Sequence, residues 1–158
     1  MAELSASAQK VQEALATKGL NCNVLEMPDT TRTAQEAATA IGCSVQQIAK
    51  SLIFKTRRTN QPILVIASGS NRVNEKRLAD LVDEPIDKAD PDFVRERTGF
   101  AIGGVPPVGH AQQLRTLIDQ DLLALDEIWA AAGTPHAVFA LTPADLVRIT
   151  GGECIRVK

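Results

Sequence analysis

The sequence predicts an α/β fold in which a mixed, partly antiparallel sheet is surrounded by helices. Helix-like and strand-like segments alternate along the 158 residues, but too irregularly for a doubly wound parallel sheet. Two strand-like segments, 50–58 and 62–69, flank the polar stretch 56–61, as in an antiparallel hairpin. The run Ile63 to Ala67 is continuously apolar, which is typical of a strand buried on both faces. A chain of this length suits a single domain, residues 1–158, with one hydrophobic core.

Hydrophobic periodicity and capping residues predict the elements of the N-terminal half. Ala8, Val11 and Leu15 lie on one helical stripe, and Thr33 with Glu36 can form a capping box. In chain order, the predicted elements of this half are a helix at 5–18, a strand at 21–26, helices at 33–42 and 44–49, and the two hairpin strands.

The C-terminal half is interpreted in the same way. Asn74 can cap a helix, Pro91 suits the first turn of the next one, and Gly99 suits its end. Thr142 before Pro143 indicates the start of a further helix. The predicted elements are helices at 74–82 and 90–99, strands at 114–120, 126–133 and 136–141, a helix at 142–152 and a strand at 153–158, with a helix as the alternative for 126–133.

Composition excludes several classes of protein. The apolar fraction of 44% supports a folded chain over a disordered one. The N-terminus lacks the apolar run of a signal peptide, and no segment approaches the roughly 20 apolar residues that span a bilayer. The three cysteines, Cys22, Cys43 and Cys154, fit neither a disulfide framework nor a zinc site. We therefore expect a cytoplasmic protein without a membrane partner.

Charge is unevenly distributed along the chain. The net charge is −2, which argues against a general nucleic-acid binder, but residues 50–77 carry seven basic side chains and only Glu75 as an acid. Such a basic face can bind phosphates, or it can simply protect a solvated sheet edge. The candidate phosphate-binding residues in this stretch are Lys55, Arg57, Arg58, Arg72, Lys76 and Arg77.

The segment GFAIGGVPPVGH, residues 99–110, has an unusual composition. Its glycines allow close approach to the backbone, so that main-chain N–H groups can stabilise charge on a carbonyl oxygen. Two adjacent prolines then make the segment stiff. A stiff wall suits discrimination between small acyl groups, although a structural crossover with tight turns fits the same composition.

Other candidate residues are few. The sequence has no G-x-G-x-x-G at a strand–helix junction, no Walker sequence, no metal-binding spacing and no nucleophile elbow. Lys50 begins an apolar strand and can bind a phosphate or polarise an ester carbonyl, or it can extend to water. His110 can orient an amine or a water, and both His110 and His136 also fit surface roles.

Three segments taken together resemble the YbaK/ProX family of free-standing aminoacyl-tRNA deacylases. These are TAQEAATAIGCSVQQIAKSLIF, GFAIGGVPPVGH and IWAAAGTPHAVFALTPADLVRITGG, and the resemblance extends from about Val11 to Gly152. They are also similar to the editing insertion domain of bacterial prolyl-tRNA synthetases. The resemblance implies a barrel-like sheet, hydrolysis of the ester between a wrong amino acid and tRNA, most often tRNA for proline, and no metal or organic cofactor.

The resemblance also implies a set of site residues. Lys50 matches the family's important lysine, and Gly104 lies in the substrate loop 103–107 beside the reacting carbonyl. We expect Lys50, Gly103 and Gly104 to be catalytic, with the amides of both glycines receiving the developing oxyanion. The expected substrate-binding residues are Val105, Pro106, Pro107, His110, Gly133, Thr134 and His136.

Two departures from the family pattern bear on specificity. The strand HAVFAL lacks the acidic residue of the cysteinyl-tRNA(Pro) deacylases, and PPVGH replaces their serine-proline form. These differences favour the ProX-like branch, which removes alanine or another small residue. The resemblance implies the acceptor end of tRNA and prolyl-tRNA synthetase as partners, and not DNA. With a tRNA substrate, the six candidate phosphate-binding residues of the stretch 50–77 become the expected tRNA-binding residues. The alternatives are a catalytically inactive tRNA- or synthetase-binding module and a hydrolase of small esters.

Overall fold

The computed structural model of the protein describes residues 4–158. The helices are α1 (Ala6–Thr17), α2 (Ala34–Ile41), α3 (Glu75–Val82), α4 (Pro91–Thr98) and α5 (Pro143–Thr150), with 3₁₀ turns at Val45–Gln47 and Gln120–Ala124. The strands are β1 (Leu25–Glu26), β2 (Ile48–Thr56), β3 (Pro62–Ser68), β4 (Ile86–Lys88), β5 (Arg115–Asp119), β6 (Ile128–Ala131), β7 (Ala137–Leu141) and β8 (Glu153–Ile155).

All eight strands belong to one sheet, with the order β1-β7-β6-β2-β3-β5-β8 and with β4 paired to β2. Neighbours β2 and β3, β6 and β7, β1 and β7, and β2 and β4 are antiparallel. Strand β2 is parallel to β6, and β5 is parallel to both β3 and β8. The predicted mixed, partly antiparallel sheet with surrounding helices is confirmed; in residues 4–158 the sheet stays open between β1 and β8.

The core lies on both faces of the sheet, as the apolar run in β3 predicts. Every residue of β3 is buried. Leu64 and Ile66 pack into the cluster that includes α1, whereas Val65 and Ala67 pack into a second cluster with Leu78 of α3. Side chains that alternate along a strand point to opposite faces, so a strand covered on both faces is apolar throughout.

Capping residues set the limits of most helices as predicted. The Thr33 hydroxyl accepts the Glu36 N–H, and Asn74 and Thr142 cap α3 and α5 in the same way. Gly42 and Gly99 end α2 and α4 in the left-handed conformation, with φ of 86° and 85°.

The structure differs from the prediction at two predicted elements and adds one strand. The helix predicted at 44–49 is only a 3₁₀ turn, because Ile48 and Ala49 pair with β6. The strand at 21–26 is reduced to Leu25–Glu26, and the short strand β4 was not predicted. Within residues 4–158 no helix is long and apolar enough to cross a membrane.

The sheet has a gap along one edge of β2. Strand β6 pairs with β2 only at Ile48 and Ala49, and β4 pairs with it only from Phe54 onward. Residues 50–53 therefore pair with neither β6 nor β4 along this edge. One hydrogen bond, from the Ala89 N–H to the Ile53 carbonyl, crosses the gap at its end. This gap positions the candidate site.

Candidate functional site

Two adjoining cavities, of about 320 and 330 Å³, lie at the gap in the sheet. Both are bounded by β2 on one side and by residues 99–110, here called the glycine-rich loop, on the other. We therefore treat them as two halves of one cleft. The residues that line both halves are Lys50, Ser51, Leu52, Ile102, Gly103 and Val105. The structure thus brings together Lys50, Gly103 and Val105 among the predicted site residues.

The two halves have different walls. The half next to α3 is apolar at Val73, Ala89 and Val94, and its charged residues are Arg72, Glu75 and Lys88. The half next to α2 is formed mainly by small and apolar side chains, with Arg32 as its cation besides the shared Lys50, and its residues include Ala34, Ala37, Ile41 and Trp129. Each half can therefore accept an apolar group while presenting a cation.

Lys50 is half-buried and forms neither a salt bridge nor a hydrogen bond through its ammonium group within residues 4–158. Burial lowers the pKa of Lys50; the negative charge of Asp119 partly opposes this shift, and the positive charge of Arg72 adds to it. An unpaired, partly desolvated cation next to a cleft is available to a ligand oxygen or phosphate.

Asp119 anchors the wall that carries Arg72. Its carboxylate is 1% exposed and accepts hydrogen bonds from the Ser68 N–H at 3.0 Å and from the Asn71 side-chain amide at 2.8 Å. Asn71 also donates to Asp121 at 2.7 Å. These bonds fix the turn after β3, which places Arg72 and the following residue beside Lys50. This network could not be predicted from the sequence, because its members are polar residues scattered at strand ends.

Gly103 and Gly104 have different environments. Gly103 has φ +91°, and a Cβ there would lie 2.7 Å from Cγ of Arg32. The Gly104 N–H donates to the Ala101 carbonyl at 3.0 Å, and the Gly104 carbonyl accepts the Gly133 N–H at 2.9 Å. The Gly104 amide is therefore occupied, and of the two amides expected to bind an oxyanion only that of Gly103 has no partner within residues 4–158.

The chain after Gly104 turns into the core. Pro106 and Pro107 are buried, and Nε2 of His110 lies 2.6 Å from the Pro106 carbonyl. Pro107 and His110 line a separate depression together with Lys18, on the other side of the loop from the cleft. None of these three predicted substrate-binding residues lines either half of the cleft.

The turn at Gly133 and Thr134 also lies behind the glycine-rich loop. Gly133 has φ +98°, and a Cβ there would lie 2.7 Å from the Ser7 carbonyl oxygen, so that α1 closes over this turn. His136 is exposed, and its Nδ1 lies 3.1 Å from the Asp29 carbonyl. None of these predicted residues lines either half of the cleft.

Only one of the six predicted tRNA-binding residues, Arg72, lines the cleft. Lys55 lies over the Phe93 ring at 5.3 Å, Arg57 forms an ion pair with Asp87 at 2.9 Å, and Arg58 donates to the Asp83 carbonyl at 2.7 Å. Lys76 and Arg77 are exposed on α3.

Two cleft cations were missed by sequence reasoning. Arg32 and Lys88 line opposite halves of the cleft, but each lies outside the basic stretch 50–77 and outside the three segments that carry the family resemblance. Only the fold brings them to the site.

The buried histidine behind the loop leads to a prediction about stability. Burial lowers the pKa of His110; the bond to the Pro106 carbonyl opposes this, and Lys10 reinforces it. The unfolded chain, with a pKa near 6.5, therefore binds the proton more readily than the folded protein. We expect the free energy of unfolding to be highest above pH 6.5 and to fall as the pH drops through 6.5 towards the lowered pKa of the folded state.

Urea unfolding between pH 7.5 and 5 measures this effect, with His110→Gln as the variant that removes the titrating group. The carboxylates whose pKa is lowered, Glu84, Asp87 and Asp121, titrate in more acidic solution and so contribute little in this range. Equal slopes of unfolding free energy against pH for both proteins would contradict the assignment.

Comparison with known proteins agrees with this architecture. Residues 28–149 match the family described as the aminoacyl-tRNA editing domain. A solved structure of a candidate trans-editing enzyme for prolyl-tRNA synthetase is 48% identical, covers 99% of both chains and superposes with a TM-score of 0.93. The uncharacterised protein YwhH of Bacillus subtilis (strain 168) is 32% identical over 124 residues, 78% of each chain.

A shorter similarity links the chain to synthetases. The proline–tRNA ligase of Thermosipho melanesiensis is 38% identical over 79 residues, which are 49% of this chain but only 14% of the ligase. The similarity therefore concerns a small part of that enzyme. From the match over residues 28–149 and the agreement of the fold, we conclude that the chain belongs to the aminoacyl-tRNA editing domain family, as its sequence motifs predicted.

Proposed function

We propose that the protein is a trans-editing hydrolase that removes a wrong amino acid, alanine, cysteine or another small residue, from tRNA(Pro). The observation that carries this proposal is the cleft between Lys50 and Gly103, in a chain of the editing-domain family; the ammonium of Lys50 and the amide of Gly103 have no partner among residues 4–158. Both groups can approach one carbonyl oxygen, which is the requirement for hydrolysing an activated ester.

The reaction needs no strong nucleophile from the protein. An aminoacyl ester is already reactive, so that positioning and charge stabilisation suffice. A water oxygen attacks the ester carbonyl carbon, and negative charge develops on the carbonyl oxygen near Lys50 and the Gly103 N–H. The bond from this carbon to the ribose oxygen then breaks, the ribose oxygen takes up the proton lost by water, and the products are the free amino acid and tRNA.

The shape of the cleft supports a small acyl group. Gly103 and Val105 form one wall, and Val105 is buried and held by the loop that turns into the core behind it. The other wall is the rigid strand β2. A wall that does not move when a larger acyl group binds discriminates against an extra methylene in that group by roughly 1–3 kcal/mol.

Cations at both ends of the cleft support a nucleic-acid substrate. Arg32 lies in the half next to α2, and Arg72 and Lys88 lie in the half next to α3. Phosphates near the 3′ end of tRNA can pair with these side chains while the ester lies between them. The protein is acidic overall, which favours a local contact with the acceptor end over general RNA binding.

A panel of tRNA(Pro) charged with alanine, cysteine, serine or proline tests the proposal. We expect the protein to accelerate loss of at least one small non-cognate amino acid and to leave prolyl-tRNA(Pro) intact. Ester loss no faster than the blank for every member, with tRNA still bound, would instead support the alternative of a catalytically inactive tRNA- or synthetase-binding module. Equal cleavage of free aminoacyl esters would support a hydrolase unrelated to tRNA.

The cleft cations and the hairpin arginines should behave differently in tRNA binding. Arg72→Ala removes a phosphate partner at the cleft, and we expect weaker binding and a slope of log affinity against log salt that is smaller by about 1. Arg57→Ala removes a charge that is already paired with Asp87, about 23 Å along β2 from Lys50. Its salt slope should match that of the unmodified protein, and equal losses in both variants would place the RNA on the hairpin instead.

A further inference from the structure

Ser51 carries a buried hydroxyl without a hydrogen-bond partner among residues 4–158. Its Oγ is enclosed, and within residues 4–158 it is the buried side-chain nitrogen or oxygen atom that lacks a hydrogen-bond partner. Buried polar groups are almost always satisfied, and an unsatisfied one lowers the stability of the fold. A hydroxyl kept at such a cost points to a ligand that completes its hydrogen bonding.

The main chain of Ser51 is also exposed to the cleft. On the edge that faces β3, the Thr56 N–H donates to Gln61 and the Gly69 N–H donates to Ile48. Along an antiparallel pair, hydrogen-bonded and non-hydrogen-bonded residue pairs alternate. Since Ile48 and Thr56 bond to the β3 side, the other even-numbered residues of β2 do so too, and the N–H and carbonyl of Ser51 point away from β3. On that side the pairing of β2 with β6 ends at Ala49, and the pairing of β2 with β4 begins only at Phe54.

Ser51 occupies the centre of the cleft. It lines both halves, and Gly103 and Val105 lie across from it in both. Its N–H and hydroxyl supply two donors in one place. Among the described residues that line the cleft, Arg32, Lys50, Arg72 and Lys88 are basic and Glu75 is acidic. The excess of positive charge favours a ligand oxygen at this point over a ligand ammonium group.

We propose that Ser51 contacts the substrate, its main-chain N–H and hydroxyl donating to the carbonyl oxygen of the aminoacyl ester. This inference rests on the proposed function and adds a donor pair on the strand side of the cleft to the Gly103 amide on the loop side. The hydroxyl acts as a donor and not as a nucleophile, because no base is placed to activate it. His110 and His136 line neither half of the cleft, and Lys50, which lines both halves with Ser51, acts in the proposed reaction as a protonated cation and not as a base.

Ser51→Ala separates this role from a purely structural one. Removing an unsatisfied hydroxyl should leave the melting temperature unchanged or raise it, whereas kcat for deacylation of the best charged tRNA should fall about 10- to 100-fold with little change in KM. Ser51→Thr keeps the hydroxyl and should recover most of the lost rate. Wild-type kcat in Ser51→Ala would overturn the inference, whatever the melting temperature.

Thr116→Val provides the matched control. The Thr116 hydroxyl is also buried in a strand, but it donates to the Leu114 carbonyl at 3.2 Å and lines neither half of the cleft. We expect the reverse pattern, a lower melting temperature with unchanged kcat. If both variants lose rate in proportion to stability, the Ser51 effect is structural and the inference is wrong.

A binding experiment distinguishes this inference from the proposed function. The probe is alanyl-adenosine in which a 3′-amide replaces the hydrolysable ester, titrated into ¹⁵N-labelled protein. We expect the amide signals of Ser51 and Gly103 to shift together. A protein that deacylates charged tRNA but shows no Ser51 shift refutes the inference alone, whereas one that neither deacylates nor binds the probe refutes the function and the inference with it.

Discussion

Lys50→Ala should reduce kcat for deacylation by about 10²- to 10³-fold while the protein stays folded. The ammonium group faces the cleft without a salt bridge, so its removal breaks no ion pair within the described residues and takes away the cation nearest the developing negative charge. Because burial disfavours the charged form, the alanine variant should be as stable as the unmodified protein or more stable. Single-turnover deacylation and urea unfolding measure the two quantities separately.

The control for this variant is Lys10→Ala. Lys10 lies on α1, with its ammonium 4.9 Å from the centre of the Phe100 ring, and lines neither half of the cleft. Its removal changes net charge equally, so that a general loss of electrostatic attraction for tRNA would appear in both variants. Unchanged kcat in Lys50→Ala would remove this lysine from the site.

The protonation state of Lys50 gives the same prediction a pH dependence. Its pKa lies below that of an ordinary lysine, which is near 10.4, because the side chain is partly desolvated. The protonated form stabilises the oxyanion, so enzymatic deacylation, after subtraction of the blank, should decline as the pH rises through this lowered pKa. Lys50→Arg, whose guanidinium stays charged, should abolish that decline even if its absolute rate is lower.

Elements with a strong local pattern were predicted correctly, and those that depend on a distant partner were not. Thr33 and Gly42 delimit α2 because capping is a property of adjacent residues. Strand β4 has three residues and exists because it pairs with β2. The residues Ile48 and Ala49 fit a helix locally, but pairing with β6 makes them a strand.

The same distinction applies to the site. Lys50 and Gly103 were predicted from chemistry and motif, since a lone lysine before an apolar strand and a glycine pair before prolines can be recognised in the sequence, and both residues line the cleft. Pro106, Pro107 and His110 line neither half, because the chain turns into the core after Gly104, which the sequence does not reveal, and their contact with substrate stays a prediction. Ser51 could be recognised only once the unpaired edge of β2 was known.

Gly104→Ala should impair both stability and activity, for a reason that is geometric and not chemical. A Cβ at this position would lie 2.9 Å from the N, Cα and C atoms of Thr134. Main-chain atoms cannot rotate away as a side chain can, so the loop must move as a unit away from the 133–134 turn. We expect a loss of about 1–3 kcal/mol in the free energy of unfolding and a fall in kcat/KM of at least tenfold.

Gly151→Ala separates the geometric effect from the general cost of replacing a glycine. Gly151 ends α5 with φ +64°, and a Cβ there would meet no atom within 4 Å. Alanine at this site should cost about 1 kcal/mol of stability, from backbone strain alone, and leave kcat/KM unchanged. If Gly104→Ala behaves like Gly151→Ala, the glycine-rich loop tolerates displacement and cannot be the fixed wall that selects small acyl groups. If it loses activity well beyond its loss of stability, the contact between Gly104 and Thr134 holds the Gly103 amide in place, and the loop acts through its position.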